Sequence, residues 1–205
     1  MSEKNKALGS SAHSDFSAQD FGRVSRAGQK LADANAFFGV DFRGRVVLDL
    51  GSSTGGFTEY ALSRGAKKVI AVEIGTRQMD LRLRNNFRVE LHEKTNLFDF
   101  VLREKVDVIV ADVSFLSLRK VLIKIAKDFL GSSDVDVLVM LKPQFEAKSF
   151  QLVKGVVKNS KMRREVIKDF ESWLKTNDWK IRAKHDNEVA GANGNRERFY
   201  YLVKV

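Results

Sequence analysis

Residues 45–57 read Arg45-Val46-Val47-Leu48-Asp49-Leu50-Gly51-Ser52-Ser53-Thr54-Gly55-Gly56-Phe57. The first six hold four aliphatic residues with no polar alternation, the pattern of a strand buried on both faces of a parallel sheet. The three glycines then let the chain turn tightly and let backbone amides approach a ligand closely. Behind them, Thr58 to Arg64 reads as a helix that Gly65 ends. Strand, glycine loop and helix form the opening unit of a doubly wound α/β sheet, and this unit decides the fold.

Outward from this unit, short β-rich runs alternate with helical patterns. Strands are expected at Val69–Glu73, more weakly around Arg88–His92, at Val106–Ala111 ending on Asp112, and at Asp136–Leu141 ending on Lys142-Pro143. A helix is expected over Gln78–Asn85. Ser117 reads as the cap of another, with Leu118, Val121, Leu122, Ile125 and Phe129 on one face at 3.6-residue spacing. Ser160 is expected to cap a third, carrying Met162, Val166, Phe170, Trp173 and Leu174. Trp179–Lys184 and Phe199–Val205 then make a closing strand pair. The expected architecture is an α/β, doubly wound, mostly parallel seven-stranded Rossmann-like sheet with helices on both faces. Residues 1–22 are expected to form a loosely held arm and residues 23–205 one domain.

Length and composition agree. A chain of 205 residues with 43% hydrophobic content suits one ordinary α/β domain. No run approaches the roughly 18 apolar residues of a membrane span, and the polar start has no signal-peptide core behind it. Without cysteine there are no disulfides or thiolate metal sites, and a cytoplasmic protein with no metal and no membrane partner is expected. Thirty-six Lys and Arg against 26 Asp and Glu leave a net charge of +10 and a pI near 9.8. That balance favours a polyanionic partner, nucleic acid first. No signal for an oligomeric state stands out.

In such sheets ligands bind beyond the carboxyl ends of the strands. Three of those ends carry polar groups here: Asp49 with Gly51, Ser53, Gly55, Gly56 and Phe57, then Glu73, then Asp112. Glu73, 22 residues beyond Gly51, suits a grip on ribose hydroxyls of an adenosine ligand. No Lys follows Gly56, so this is not a phosphate-gripping P-loop, and the second glycine of a dinucleotide fingerprint is missing. The loop fits a cofactor without phosphate, such as S-adenosylmethionine. Lys142, held extended by Pro143, has the stiffness a general base needs, although a lysine taken singly is more often a solvated surface charge.

Several motifs together resemble the TlyA (haemolysin-A-like) family in its FtsJ-type methyltransferase domain. They are Val24-Ser25-Arg26-Ala27-Gly28-Gln29-Lys30-Leu31, the Leu48–Thr58 loop, Lys94-Thr95-Asn96, Asp112-Val113-Ser114-Phe115-Leu116-Ser117-Leu118, Leu141-Lys142-Pro143-Gln144-Phe145-Glu146, and Gly194-Asn195-Arg196-Glu197. The resemblance implies an RNA ribose 2′-O-methyltransferase using S-adenosylmethionine, acting on ribosomal RNA or a ribosomal subunit. It implies a Lys-Asp-Lys-Glu catalytic tetrad at Lys30, Asp112, Lys142 and Glu197, and it adds Asn96 to the cofactor residues. Without it, Lys30 and Glu197 read as an ordinary surface ion pair.

The chain also departs from the family. Members usually begin with a small S4-type RNA-binding domain, for which there is no room here. Ala27 stands for a usual Gly, Gly75-Thr76-Arg77 for a Gly-Tyr-Gly-like turn, and Lys154-Gly155-Val156-Val157 is a residue shorter than usual. The usual Pro before the last Gly-Asn is missing. A basic segment, Lys154, Lys158, Lys161, Arg163 and Arg164, reads either as phosphate contacts or as a solvated helix face. The alternatives to the enzyme are a catalytically silent RNA-binding or ribosome-assembly protein on the same fold, a small-molecule methyltransferase and, against the lack of any long helix apolar on one face and basic on the other, a membrane-active haemolysin.

Overall fold

The computed structural model describes Gly22 and residues 24–131, 134–187 and 194–205. The arm expected over residues 1–22 lies, Gly22 apart, outside the described residues. In chain order the elements are α1 (Arg26–Phe38), β1 (Val46–Leu50), α2 (Gly56–Ser63), β2 (Lys68–Val72), the single turn α3 (Leu81–Arg84), β3 (Val89–His92), β4 (Val108–Ala111), α4 (Leu118–Asp128), β5 (Asp136–Leu141), the short α5 (Pro143–Glu146), β6 (Leu152–Val153), β7 (Val156–Val157), α6 (Ser160–Thr176), β8 (Trp179–Asp186) and β9 (Arg198–Lys204).

The seven-stranded sheet runs β3-β2-β1-β4-β5-β9-β8, and β6 with β7 makes a separate two-stranded hairpin. The pairs among β1 to β5 are parallel. β9 is antiparallel to both β5 and β8. Parallel neighbours need a crossover long enough to hold a helix, whereas β8 and β9, consecutive in the chain, pair antiparallel.

Alternation along the strands divides the core in two. Val47, Val69, Val108, Val110, Leu138 and Met140 pack against Leu31 and Ala34 of α1 and Phe57, Tyr60 and Ala61 of α2. Leu48, Leu50, Ile70, Ile109, Val137 and Val139 pack against Leu118, Val121, Leu122 and Ile125 of α4 and Ile167, Phe170 and Leu174 of α6. β1, β2, β4 and β5 are therefore covered on both faces, as their largely apolar sequences require, whereas the edge strand β3 is half-buried. Asn35 locks α1 to α2: its Nδ2 donates to Tyr60 Oη at 3.0 Å and to Val40 O at 2.9 Å, while its Oδ1 accepts from Val40 N.

Three local expectations shift, and two elements are additional to those expected. The helix foreseen at Gln78–Asn85 shrinks to α3, because the Asp80 side chain caps it by accepting from Arg82 N and Gln78 instead accepts a hydrogen bond from Ser53 Oγ. Asn159, not Ser160, caps α6, accepting from Met162 N at 3.0 Å. Ser117 sits at the N-cap of α4 but makes no side-chain cap bond. Neither α1 nor the β6–β7 hairpin has a distinct periodic signal in the sequence. Among the described residues no helix is long and apolar enough to cross a membrane.

Phe170 is fully buried, 5.5 Å from the Tyr200 ring and 6.2 Å from Trp173. Phe170→Ala is expected to lower the unfolding free energy by about 3–5 kcal/mol in a urea titration. A loss below about 1 kcal/mol would mean that α6 does not seal this half of the core.

Candidate active site

β1 lies between β2 and β4, so the chain departs in opposite directions on its two sides and leaves a crevice beyond the strand ends. Gly51 stands there at φ +81°, and a Cβ on it would meet Asp112 O at 2.8 Å. The turns after β1 and β4 are thus in contact. Gly51 N and Ser52 N donate to Val72 O at 2.9 and 3.2 Å, which ties the loop to β2 as well. Glu73 accepts from Ser53 N at 2.9 Å and from Gly75 N at 2.7 Å. The crevice is a cavity of about 390 Å³ whose wall includes Gly51, Ser53, Glu73, Gln78, Asn96 and Asp112.

The remaining residues of the loop reading support it from beneath. Asp49 is fully buried, accepts from Thr58 Oγ1 at 2.7 Å, and leaves Oδ1 without a hydrogen-bond partner. Burial pushes its carboxyl up to about 7, with the neighbouring Asp112 and Glu73 charges adding to the rise and the Thr58 bond opposing it. Phe57 does not face the cavity; it stacks 5.8 Å from Phe199 in the core. Gly55 is the N-cap of α2. Gly56 has a tighter reason still: a Cβ there would lie 2.2 Å from Ser25 Oγ and 2.8 Å from Gly28 N. Only glycine lets the start of α1 approach so closely, and α1 carries Lys30.

Lys30 Nζ meets Glu197 Oε2 at 2.6 Å, with Glu197 only 5% exposed. Lys142 Nζ meets Asp112 Oδ1 at 2.7 Å and donates to Ser114 Oγ at 2.7 Å. Burial raises the Asp112 carboxyl, and Lys142 is the main opposing influence; Glu197 and Lys30 both act on it too. Residues from α1, the ends of β4 and β5, and the segment before β9 therefore form one charge-balanced cluster of two ion pairs at the edge of the cavity. Among the described residues no group of His, Asp and Glu has the arrangement to hold a metal ion.

The model of the FtsJ-like methyltransferase family matches residues 23–204. The chain belongs to that family. It is 37% identical over 183 residues to the 23S rRNA (cytidine-2'-O)-methyltransferase TlyA of Campylobacter jejuni, covering 88% of this chain and 71% of the relative. It is 35% identical over 190 residues to Hemolysin A of Brachyspira hyodysenteriae, covering 90% and 78%. Of the solved structures, a candidate hemolysin from Lactococcus lactis superposes with a TM-score of 0.83 at 31% identity, over 89% of this chain and 88% of the other.

The methyltransferase has supporting residues that pattern reading passed over. Glu146, in the Lys-Pro-Gln-Phe-Glu motif, accepts from Leu118 N through Oε1 and from Ser117 Oγ through Oε2 at 2.9 Å. It is the acceptor that caps α4, supplied from another loop, and Arg119 Nε stands 3.4 Å away. Glu146 thereby fastens the segment after Lys142 to the segment after Asp112. Ser114 and Gln78 were also missed, because their contacts join loops distant in sequence.

The basic segment is not uniform. Lys154, Lys158, Lys161 and Arg164 are exposed. Arg163 is instead committed to the fold, donating to Asp186 at 2.6 Å and to Arg196 O at 3.1 Å.

Two outcomes follow for the methyltransferase. The folded state binds the Asp49 proton more tightly than the unfolded chain, so this group's stabilising share is complete below about pH 4 and is lost as pH rises towards 7. Asp49→Asn, which keeps an acceptor for Thr58, should flatten that fall by on the order of 4 kcal/mol between pH 4 and 8; melting curves that fall in parallel for the two proteins would refute a neutral Asp49. Glu146→Ala should cost roughly 1–3 kcal/mol in urea unfolding by orphaning the α4 start. Glu146→Gln should recover most of that loss, and equal losses in the two variants would assign the effect to charge instead.

Proposed function

We propose that this methyltransferase uses S-adenosylmethionine to methylate a ribose 2′-hydroxyl of RNA, with ribosomal RNA or a ribosomal subunit as its partner. The observation that carries this reading is the pairing of Lys30 with Glu197 and of Asp112 with Lys142 beside a cavity that carboxylates line. The names of relatives support it: the Campylobacter jejuni protein is a 23S rRNA (cytidine-2'-O)-methyltransferase. A Mycobacterium tuberculosis relative, 37% identical over 183 residues and covered to 68% of its length, is a 16S/23S rRNA (cytidine-2'-O)-methyltransferase.

The residues present fit the cofactor. Glu73 spends one oxygen on Ser53 N and the other on Gly75 N, and a carboxylate with about four acceptor positions retains room for ribose hydroxyls. Asp112 and Glu73 give the cavity an acidic character suited to a cationic ligand. Gly51, Ser53 and Asn96 line the same space, with Asp49, Gly55, Gly56 and Phe57 holding the loop from below. S-adenosylmethionine, when bound, supplies an electrophilic methyl group on a positively charged sulfur.

Lys142 is the proton acceptor in this reading. Asp112 and Ser114 engage two of the positions on its Nζ, and the third is left for the attacking hydroxyl. Lys30 and Glu197 orient the ribose. Phe115, 88% exposed at φ +63° and 5.4 Å from the Phe145 ring, offers a platform for an unstacked base. Lys154, Lys158, Lys161 and Arg164 contribute phosphate attraction, and Arg163 fastens α6 to β8 through Asp186. Residues 23–205 act as one domain, and the cytoplasm is where ribosomal RNA meets it.

The decisive measurement is transfer of labelled methyl groups to ribosomal RNA and to ribosomal subunits, with calorimetry for the cofactor. Lys142→Ala should lower transfer by about 10²–10⁴-fold while cofactor and RNA binding persist. If the unmutated protein binds RNA but methylates none, the silent RNA-binding alternative stands instead.

A further inference from the structure

The cofactor cavity has a neighbour of opposite charge. One residue beyond Lys142, Pro143 forms part of the wall of a second cavity of about 630 Å³. The β6–β7 hairpin supplies another wall through Val156 and Val157. Asn195 pins that hairpin, its Oδ1 accepting from Val157 N and its Nδ2 donating to Gly155 O, each at 3.1 Å. Arg163, Arg164, Arg196 and Arg198 line the space, and among the described residues no carboxylate does.

These arginines divide into two kinds. Arg163 and Arg198 both bond Asp186, which the Arg198 hydrogen bond above all holds down to about 2. Their charge is spent within the fold. Arg164 and Arg196 are exposed, and among the described residues neither has an ion-pair partner. Arg196 is the immediate neighbour of Glu197. Lys158 and Lys161 at the start of α6, and Lys154 at the hairpin tip, continue the positive strip beyond the groove, which is longer than one phosphate needs.

We infer that this groove receives the phosphodiester backbone of the substrate RNA beside the ribose being methylated, with Arg164 and Arg196 as its phosphate contacts. The inference rests on the RNA-methylating function proposed above. A guanidinium presents its N–H groups in a fork that matches a phosphate, and two unpaired ones outside the core retain that capacity. Charge sorts the two reactants: a cationic cofactor suits the carboxylate-lined cavity and an anionic strand the arginine-lined one, with Lys142-Pro143 as the partition where they meet. The Gly-Asn-Arg-Glu motif then has three tasks, since Asn195 holds the hairpin, Arg196 meets phosphate and Glu197 completes the charge cluster.

The test is fluorescence anisotropy of a labelled single-stranded oligoribonucleotide across a salt series, with calorimetry of S-adenosylmethionine alongside. Arg164→Ala and Arg196→Ala should each weaken RNA binding by about tenfold at low salt and flatten the dependence of log K on log salt by ~0.7, with cofactor affinity unchanged. Arg196→Lys should keep the slope. Lys67→Ala, at an exposed position just before β2 and so at the opposite end of the strands from the groove, should behave as the unmutated protein does. If the unmutated protein binds RNA and both alanine variants keep its affinity and slope, the groove is not the phosphate site. If the unmutated protein binds the cofactor but neither binds nor methylates RNA, the RNA reading itself fails, and the groove's assignment with it.

Discussion

The contact on which the rest of the molecule depends is the one at Gly51, where a single added carbon would stand 2.8 Å from the carbonyl of Asp112. It presses the turn after β1 against the turn after β4. The crevice between those strands therefore has a fixed floor, and Asp112 has a fixed position relative to the loop and to Glu73. A second approach of the same kind, Gly56 against Gly28 N, brings α1 down onto the start of α2. Lys30 reaches Glu197 across 167 residues of sequence because of it. Two glycines thus act through the space they leave, and both halves of the charge cluster are placed by it.

Electrostatics then gives that geometry a direction. Two carboxylates, Glu73 and Asp112, line the cavity, with Asp49 buried beneath the loop and pushed up to about 7, and among the described residues arginines supply the charged lining of the neighbouring groove. Between them stands Lys142, paired with Asp112 and hydrogen-bonded to Ser114. Glu146 secures the arrangement from behind by capping α4 from the α5 segment, so the loops bearing Asp112 and Lys142 move together or not at all. A chain with net charge +10 thus still brings two carboxylates, Glu73 and Asp112, to one cavity.

Much of this was legible in the sequence because parallel strands covered on both faces announce themselves. Unbroken runs such as Val46–Leu50 and Asp136–Leu141 place five strands to within two residues at most boundaries, and apolar spacing of 3.6 marks α4 and α6. α1 was not distinct, since its helical face is mostly small and polar and its position follows from packing on Gly56. The β6–β7 hairpin has two residues per strand, too few for any period to register. The motifs named Lys30, Asp112, Lys142 and Glu197, while the bond from Lys142 to Ser114 and the capping by Glu146 join segments that no local pattern relates.

The sequence by itself determined the order of strands and helices, the loop after β1 and the kinds of side chain available for chemistry, because periodicity, glycine and charge are properties of neighbouring residues. Only the tertiary structure decided which of those side chains are partnered. Arg163 is spent on Asp186 while Arg164 beside it is exposed, and Phe57 belongs to the core rather than to the cavity. The physical reason is that burial and ion pairing depend on what the fold brings within a few ångströms, and here those partners come from elements up to 167 residues away.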